Sequence, residues 1–177
     1  MHETPEDIAA LQELLDRSYA VAGQHLRSIT TPERRVPAAQ LCEELTGMVL
    51  LVLATVTADG RPIAGPVDGI FYRGSFHFGT SPDAVRARHL RLRPQVSATH
   101  LPREGFAVTV HGRAVVIDVR SPEGAGLRDT LFEVYVPRYG DEWAKFLDPG
   151  PDGRAPVYFQ IIADRMFSFQ MIGDPSL

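Results

Sequence analysis

The chain is predicted to fold as a mainly β protein with α elements, a six-stranded antiparallel barrel with peripheral helices. Residues 48–119 read as successive β-rich runs separated by short turn signatures, which is how hairpins are punctuated. Only two helical stretches interrupt the strands, too few for the βαβ crossovers of a parallel sheet. The 177 residues, 44% hydrophobic and 23% charged, suit a single soluble domain with a sizeable core.

The first 46 residues have a helical texture. Ile8, Leu11, Leu14, Leu15, Tyr19 and Leu26 keep helical spacing within a predicted helix over 4–27. Thr4 is its N-cap, Pro5 takes the first turn, and Asp7 completes a capping-box-like start. After the polar loop around Thr31-Pro32, a second short helix covers about 37–46. Residues 1–46 are expected to form a helical extension packing on the barrel, and 47–177 the barrel itself.

Met48–Val56 is almost wholly apolar and predicts a strand buried on both faces. Ala58-Asp-Gly-Arg61 forms a hairpin turn, Pro62–Tyr72 the return strand, and Arg73-Gly-Ser75 the turn into Phe76–Thr80. Gln95–Leu101 alternates as a strand. Phe106–Val119 is a longer one, with Gly112 marking a bulge or close backbone approach. A helix from Ser121 to about Arg138, a turn over Asp141–Leu147 and a Pro/Gly/Asp-rich loop at 148–156 precede the last strand, Val157–Ile172.

Several function classes drop out. The acidic N-terminus is unlike a signal peptide, and the apolar run from Met48 is too short to span a membrane as a helix, so a soluble cytoplasmic protein is expected. The single Cys42 precludes an intramolecular disulfide and reads as a packed residue. The six histidines are scattered without metal-ligand spacing, so no metal is expected. No nucleophile elbow, P-loop or dinucleotide fingerprint is present. A net charge of −4, with no aromatic-interleaved basic surface, argues against nucleic acid.

Against that acidic background, the stretch Phe78 to Pro94 concentrates Arg86, Arg88, Arg91, Arg93 and His89. Ser81 is the predicted N-cap of its helix, with Pro82 first and Asp83 at the positive end. Val85, His89 and Leu92 form the predicted inward stripe. Two readings stay open: a solvated basic face, or a grip for a phosphorylated small molecule.

Ala54-Thr-Val-Thr-Ala-Asp-Gly-Arg-Pro62, Gly65-Pro-Val67, Phe78-Gly-Thr80 and Arg86-Ala-Arg-His-Leu-Arg-Leu-Arg-Pro94 occur in this order. Together they resemble the pyridoxamine 5′-phosphate oxidase-like split β-barrels, and within them the flavin/deazaflavin oxidoreductases of actinobacteria. The resemblance covers about residues 45–172 and implies a homodimer with cofactor sites at the interface. It places Thr80, Ser81, Arg86 and Arg88 on the cofactor phosphate. Pro66, Val67 and Asp68 run along the ring, and Arg91 meets an extended anionic tail. Two positions depart from the oxidases proper, which use a second-strand arginine and a fifth-strand glutamine. Gly65 and Ala107 stand there, which argues against vitamin B6 oxidase activity.

The resemblance implies hydride transfer between the deazaflavin coenzyme F420 and an unsaturated small organic substrate. An FMN-dependent oxidoreductase and a non-catalytic flavin or haem carrier are the alternatives. Because the cofactor supplies the redox chemistry, no catalytic side chain is assigned. Four arginines suit the long anion of F420 better than one FMN phosphate, although Arg93 is expected to be solvated. Tyr135, Tyr139 and Trp143 either pack against the barrel or line a substrate pocket. His77, His100 and His111 are expected to be structural.

Overall fold

Short hairpin connections set most neighbours in the sheet. The computed structural model describes residues 2–151 and 153–173. Its strands are β1 (Met48–Val56), β2 (Pro62–Tyr72), β3 (Ser75–Thr80), β4 (Gln95–Arg103), β5 (Phe106–Ile117) and β6 (Val157–Gln170). They close an antiparallel barrel in the order β1-β2-β3-β6-β5-β4. The helices are α1 (Pro5–Ala20), α2 (Gln24–Ile29), α3 (Ala38–Glu44), α4 (Val85–Leu92) and α5 (Ala125–Tyr139), with a 3-10 segment over Asp141–Leu147. Among the described residues, no helix is long and apolar enough to cross a membrane.

The predicted helix over 4–27 is two helices. Its start is as expected: Thr4 Oγ1 accepts from Asp7 N, and Asp7 returns the bond to Thr4 N. It ends at Ala20, and Gly23, in extended conformation, restarts the chain as α2. Gly112 sits at the register shift between β5 and β6, where an added Cβ would fall 2.1 Å from the Ile162 carbonyl oxygen.

β1 departs from its expected double burial. Val49, Leu51 and Leu53 point into the barrel with Phe76, Phe78, Val108, Val110 and Phe159. The alternate residues Leu50 and Val52 are 61% and 54% exposed. The cause is the strand period of two: α5 reaches the outer face of β1 at Met48, and among the described residues no helix covers it at Leu50 and Val52, so those apolar side chains meet solvent.

β6 explains the N-terminal helices. It pairs with β5 along most of its length, but with β3 only through Val157–Gln160. Further along, α1 and the loop before α3 satisfy polar groups that the short β3 does not reach. Met166 N donates to Ser18 Oγ at 3.0 Å, and Ser168 N donates to Tyr19 OH at 2.8 Å. The Tyr19 hydroxyl in turn donates to Ser168 O at 2.6 Å, while Ser168 Oγ bonds both backbone polar groups of Val36. These contacts are buried, and they blunt an otherwise bare strand edge.

Candidate cofactor site

The Arg-rich helix is later and differently faced than its sequence predicts. Ser81 is spent in a turn: its carbonyl accepts from Ala84 N at 3.0 Å and its Oγ from Asp83 N at 3.3 Å. Ala84, with ψ 142°, is the true N-cap, so α4 begins at Val85. The buried pair is Ala87 and Leu90, three residues apart. Val85 and Leu92 are instead 49% and 73% exposed. His89 alone of the predicted stripe turns inward, its Nδ1 2.9 Å from Thr55 Oγ1 on β1. The small Ala87 lets the helix lie close to the barrel, which side-chain size at Val85 and Leu92 would oppose.

That rotation gives each arginine a distinct position. Arg86 reaches β2, where its Nη1 donates to the Pro66 carbonyl at 2.8 Å. Its Nη2 lies over Gly65, 3.9 Å from where a Cβ would stand. An added Cβ would make ordinary contact at that distance, so the guanidinium supplied by α4 lies directly over Gly65. Arg91 Nη1 donates to Pro82 O at 3.0 Å, clipping the turn, and Arg93 Nε donates to Val56 O at 2.9 Å. Arg88 is exposed, and its side chain has no hydrogen-bond or ion-pair partner among the described residues.

On β2, Val67 buries its side chain in the barrel while Pro66 and Asp68 face outward. Asp68 lines a cavity of about 300 Å³ between the outer face of β2, β3 and β6 and the cover of α5 and the 3-10 segment. Thr80 lines it too. Ser81 belongs to an adjoining cavity of about 360 Å³ that shares Phe146. The expected site residues therefore fall into two neighbouring groups: Asp68 and Thr80 in the cavity, and Arg86 with Pro66 at the β2 edge. Ser81 lines the adjoining cavity, and Arg88 and Arg91 lie on α4.

Aromatic rings build the cavity wall. Tyr135 and Trp143 stack with centroids 4.6 Å apart and planes 7° from parallel, and Tyr139 continues the stack 6.0 Å beyond Tyr135. These rings both pack against the barrel and line the cavity. Tyr158, outward on β6, forms part of the floor over Gly79, whose added Cβ would meet its ring at 2.9 Å. Sequence reasoning missed Tyr158 and Phe146, because their place in the wall depends on strand register and on the path of the 3-10 segment.

Electrostatically the cavity is one-sided. Tyr135 OH donates to Asp68 Oδ2 at 2.7 Å. Burial first, then this carboxylate, pushes the Tyr135 hydroxyl well above the ordinary phenol range. Burial does the same to Tyr158, with Asp68 adding to it. His77 also lines the cavity, with Nδ1 donating to Ser75 O at 3.1 Å, and burial lowers it to about 4, so it is neutral at pH 7. His100 is a buried strand residue bonded to Leu50 O at 2.8 Å. His111 and Ala107 line a separate cavity of about 300 Å³ beside α2. Among the described residues no three metal-ligating side chains come together.

A sequence model of the family described as Pyridoxamine 5'-phosphate oxidase matches residues 38–165. The chain belongs to that family. No curated protein matches it significantly. Among solved structures it is similar to a conserved hypothetical protein of Mycobacterium tuberculosis, at 19% identity over 82% of this chain and 98% of that one, with a TM-score of 0.61. The heme storage protein HutZ of Vibrio cholerae is 22% identical over 77% of this chain and 95% of its own, with a TM-score of 0.59. A structure described as an F420 reductase is 17% identical over 69% and 91%, with a TM-score of 0.50. At these identities the likeness is one of fold.

This chain draws the cations of the candidate site from α4. Its guanidinium beside β2 comes from Arg86 on α4, across Gly65. Arg88, whose side chain has no hydrogen-bond or ion-pair partner among the described residues, lies on the same helix, and Thr80 ends β3, which pairs with β2. This donor set fits the phosphate of a flavin-type cofactor.

Proposed function

We propose that the protein is an oxidoreductase that moves a hydride between the deazaflavin coenzyme F420 and an unsaturated small organic substrate, with FMN as the alternative cofactor. The observation that carries the reading is Arg86 lying across Gly65 onto the Pro66 carbonyl, with Arg88 unpartnered on the same helix. When bound, the cofactor supplies the hydride chemistry, so the chain has to bind, orient and shield it. Arg86, Arg88, Thr80 and Ser81 hold the phosphate, and Arg91 extends the cationic surface toward a longer tail. Pro66 and Val67 offer backbone to the ring. Tyr135 keeps its proton and fixes the Asp68 carboxylate by a hydrogen bond. The similarity to an F420 reductase supports this reading.

The protein works as a homodimer in this reading. The outer face of β1 supports it: Leu50 and Val52 continue into Leu101 of β4, which is 60% exposed. A second copy would cover this apolar strip. The similarity to HutZ supports the competing carrier reading. Fluorescence titration with F420 and with FMN, followed by turnover on a panel of enones, tests all three. Tighter F420 binding with turnover supports the proposal, preference for FMN overturns the cofactor, and binding without turnover favours the carrier.

A further inference from the structure

The cavity over Asp68 differs in sign from the arginine helix beside it. Among the described residues, Asp68 is the acidic residue of its lining, no arginine or lysine lines it, and His77 there is neutral. One Asp68 oxygen is held by Tyr135, and Oδ1 has no hydrogen-bond partner among the described residues. The wall is the Tyr139-Tyr135-Trp143 stack, with Phe146 a further 6.1 Å beyond Trp143 at 31°. Tyr139 and Phe146, at the two ends of this column, are each 56% exposed. Within the column the ring faces cover one another and Arg138 lies over Tyr139, so Phe146 at the other end is the ring left to stack on a flat ligand. The Asp68 carboxylate beside this wall disfavours an anion and favours a flat, positively charged ligand, with the charge preference resting on Asp68.

We propose that this cavity binds a planar organic cation, such as a protonated or N-alkylated nitrogen heterocycle, with its ring against the aromatic wall and its charge toward Asp68. A volume of about 300 Å³ accommodates a two-ring compound. Asp68 then belongs to this ligand and not to the cofactor ring, which leaves Pro66, Thr80 and Arg86 to the cofactor. That the cation is the substrate rests on the oxidoreductase reading above; that it binds does not.

The test uses the full chain without cofactor. Trp143 is the only tryptophan, so intrinsic fluorescence reports this wall directly. The probes are 1-methylquinolinium and its neutral near-isostere 1-methyl-2-quinolone, with calorimetry as the second readout. The cation is expected to bind about tenfold more tightly than the quinolone. Asp68→Asn should remove that preference while leaving quinolone binding unchanged, and Phe146→Ala should weaken both. Equal affinities in the unaltered protein, a preference surviving in Asp68→Asn, or no saturable binding at millimolar cation would overturn the proposal. The ratio in the unaltered protein decides alone if a variant does not fold. Failure to bind F420 or FMN would leave the ratio untouched, so the two readings fail separately.

Discussion

The Arg86 guanidinium donates to the Pro66 carbonyl oxygen at 2.8 Å, joining the arginine helix to the second strand of the barrel. The bond holds a charged group at the β2 edge with the remaining N–H donors available for an anion.

Arg86→Ala is therefore expected to weaken binding of F420 or FMN by about 10- to 100-fold, the range of one charge-assisted hydrogen bond. Arg88→Ala should weaken it by several-fold, having no internal contact to lose. Fluorescence titration measures both. Unchanged affinity in the double variant would place the phosphate elsewhere.

Val52→Glu puts a charge in the exposed apolar strip without touching the barrel interior. The proposed dimer is expected to dissociate, as read by sedimentation velocity, with the thermal transition of each subunit otherwise retained. A unaltered chain that sediments as a monomer would refute the dimer.

His77 should make the fold acid-sensitive. Its folded value of about 4 lies below the ordinary 6.5, because burial disfavours the cation. Between these values the unfolded chain binds the extra proton, so the contribution is full above pH 6.5 and is lost as pH falls toward 4. The difference amounts to about 3 kcal/mol. Urea unfolding at pH 7 and pH 5 should show a smaller loss for His77→Gln than for the unaltered protein.

Tyr19→Phe removes the acceptor for Ser168 N and the donor to Ser168 O, both buried. A cost of about 1–3 kcal/mol is expected in urea unfolding. A neutral result would mean that water or a shifted backbone satisfies the β6 edge.

Cys42 is buried in α3, and burial raises its thiol to about 12. It should stay unmodified by a maleimide at pH 7.5 in the folded protein and react fully in urea.

Local chemistry made the strands, turns and first helix cap readable in the sequence alone. Turn residues and the two-residue strand period act over a few positions, so Ala58–Arg61, Gly112 and the Thr4–Asp7 box announced themselves. The motif order also disclosed the family. Tertiary structure decided which faces these elements present. The outer side of β1 is bare at Leu50 and Val52 because no described helix covers it there, and nothing within Met48–Val56 encodes that. α4 turns Ala87 and Leu90 inward because packing against β1 selects a small contact face over the one a helical wheel proposes. The aromatic wall joins Tyr135, Trp143 and Tyr158 with Asp68 across long stretches of chain, so only closure of the barrel under α5 brings that chemistry together.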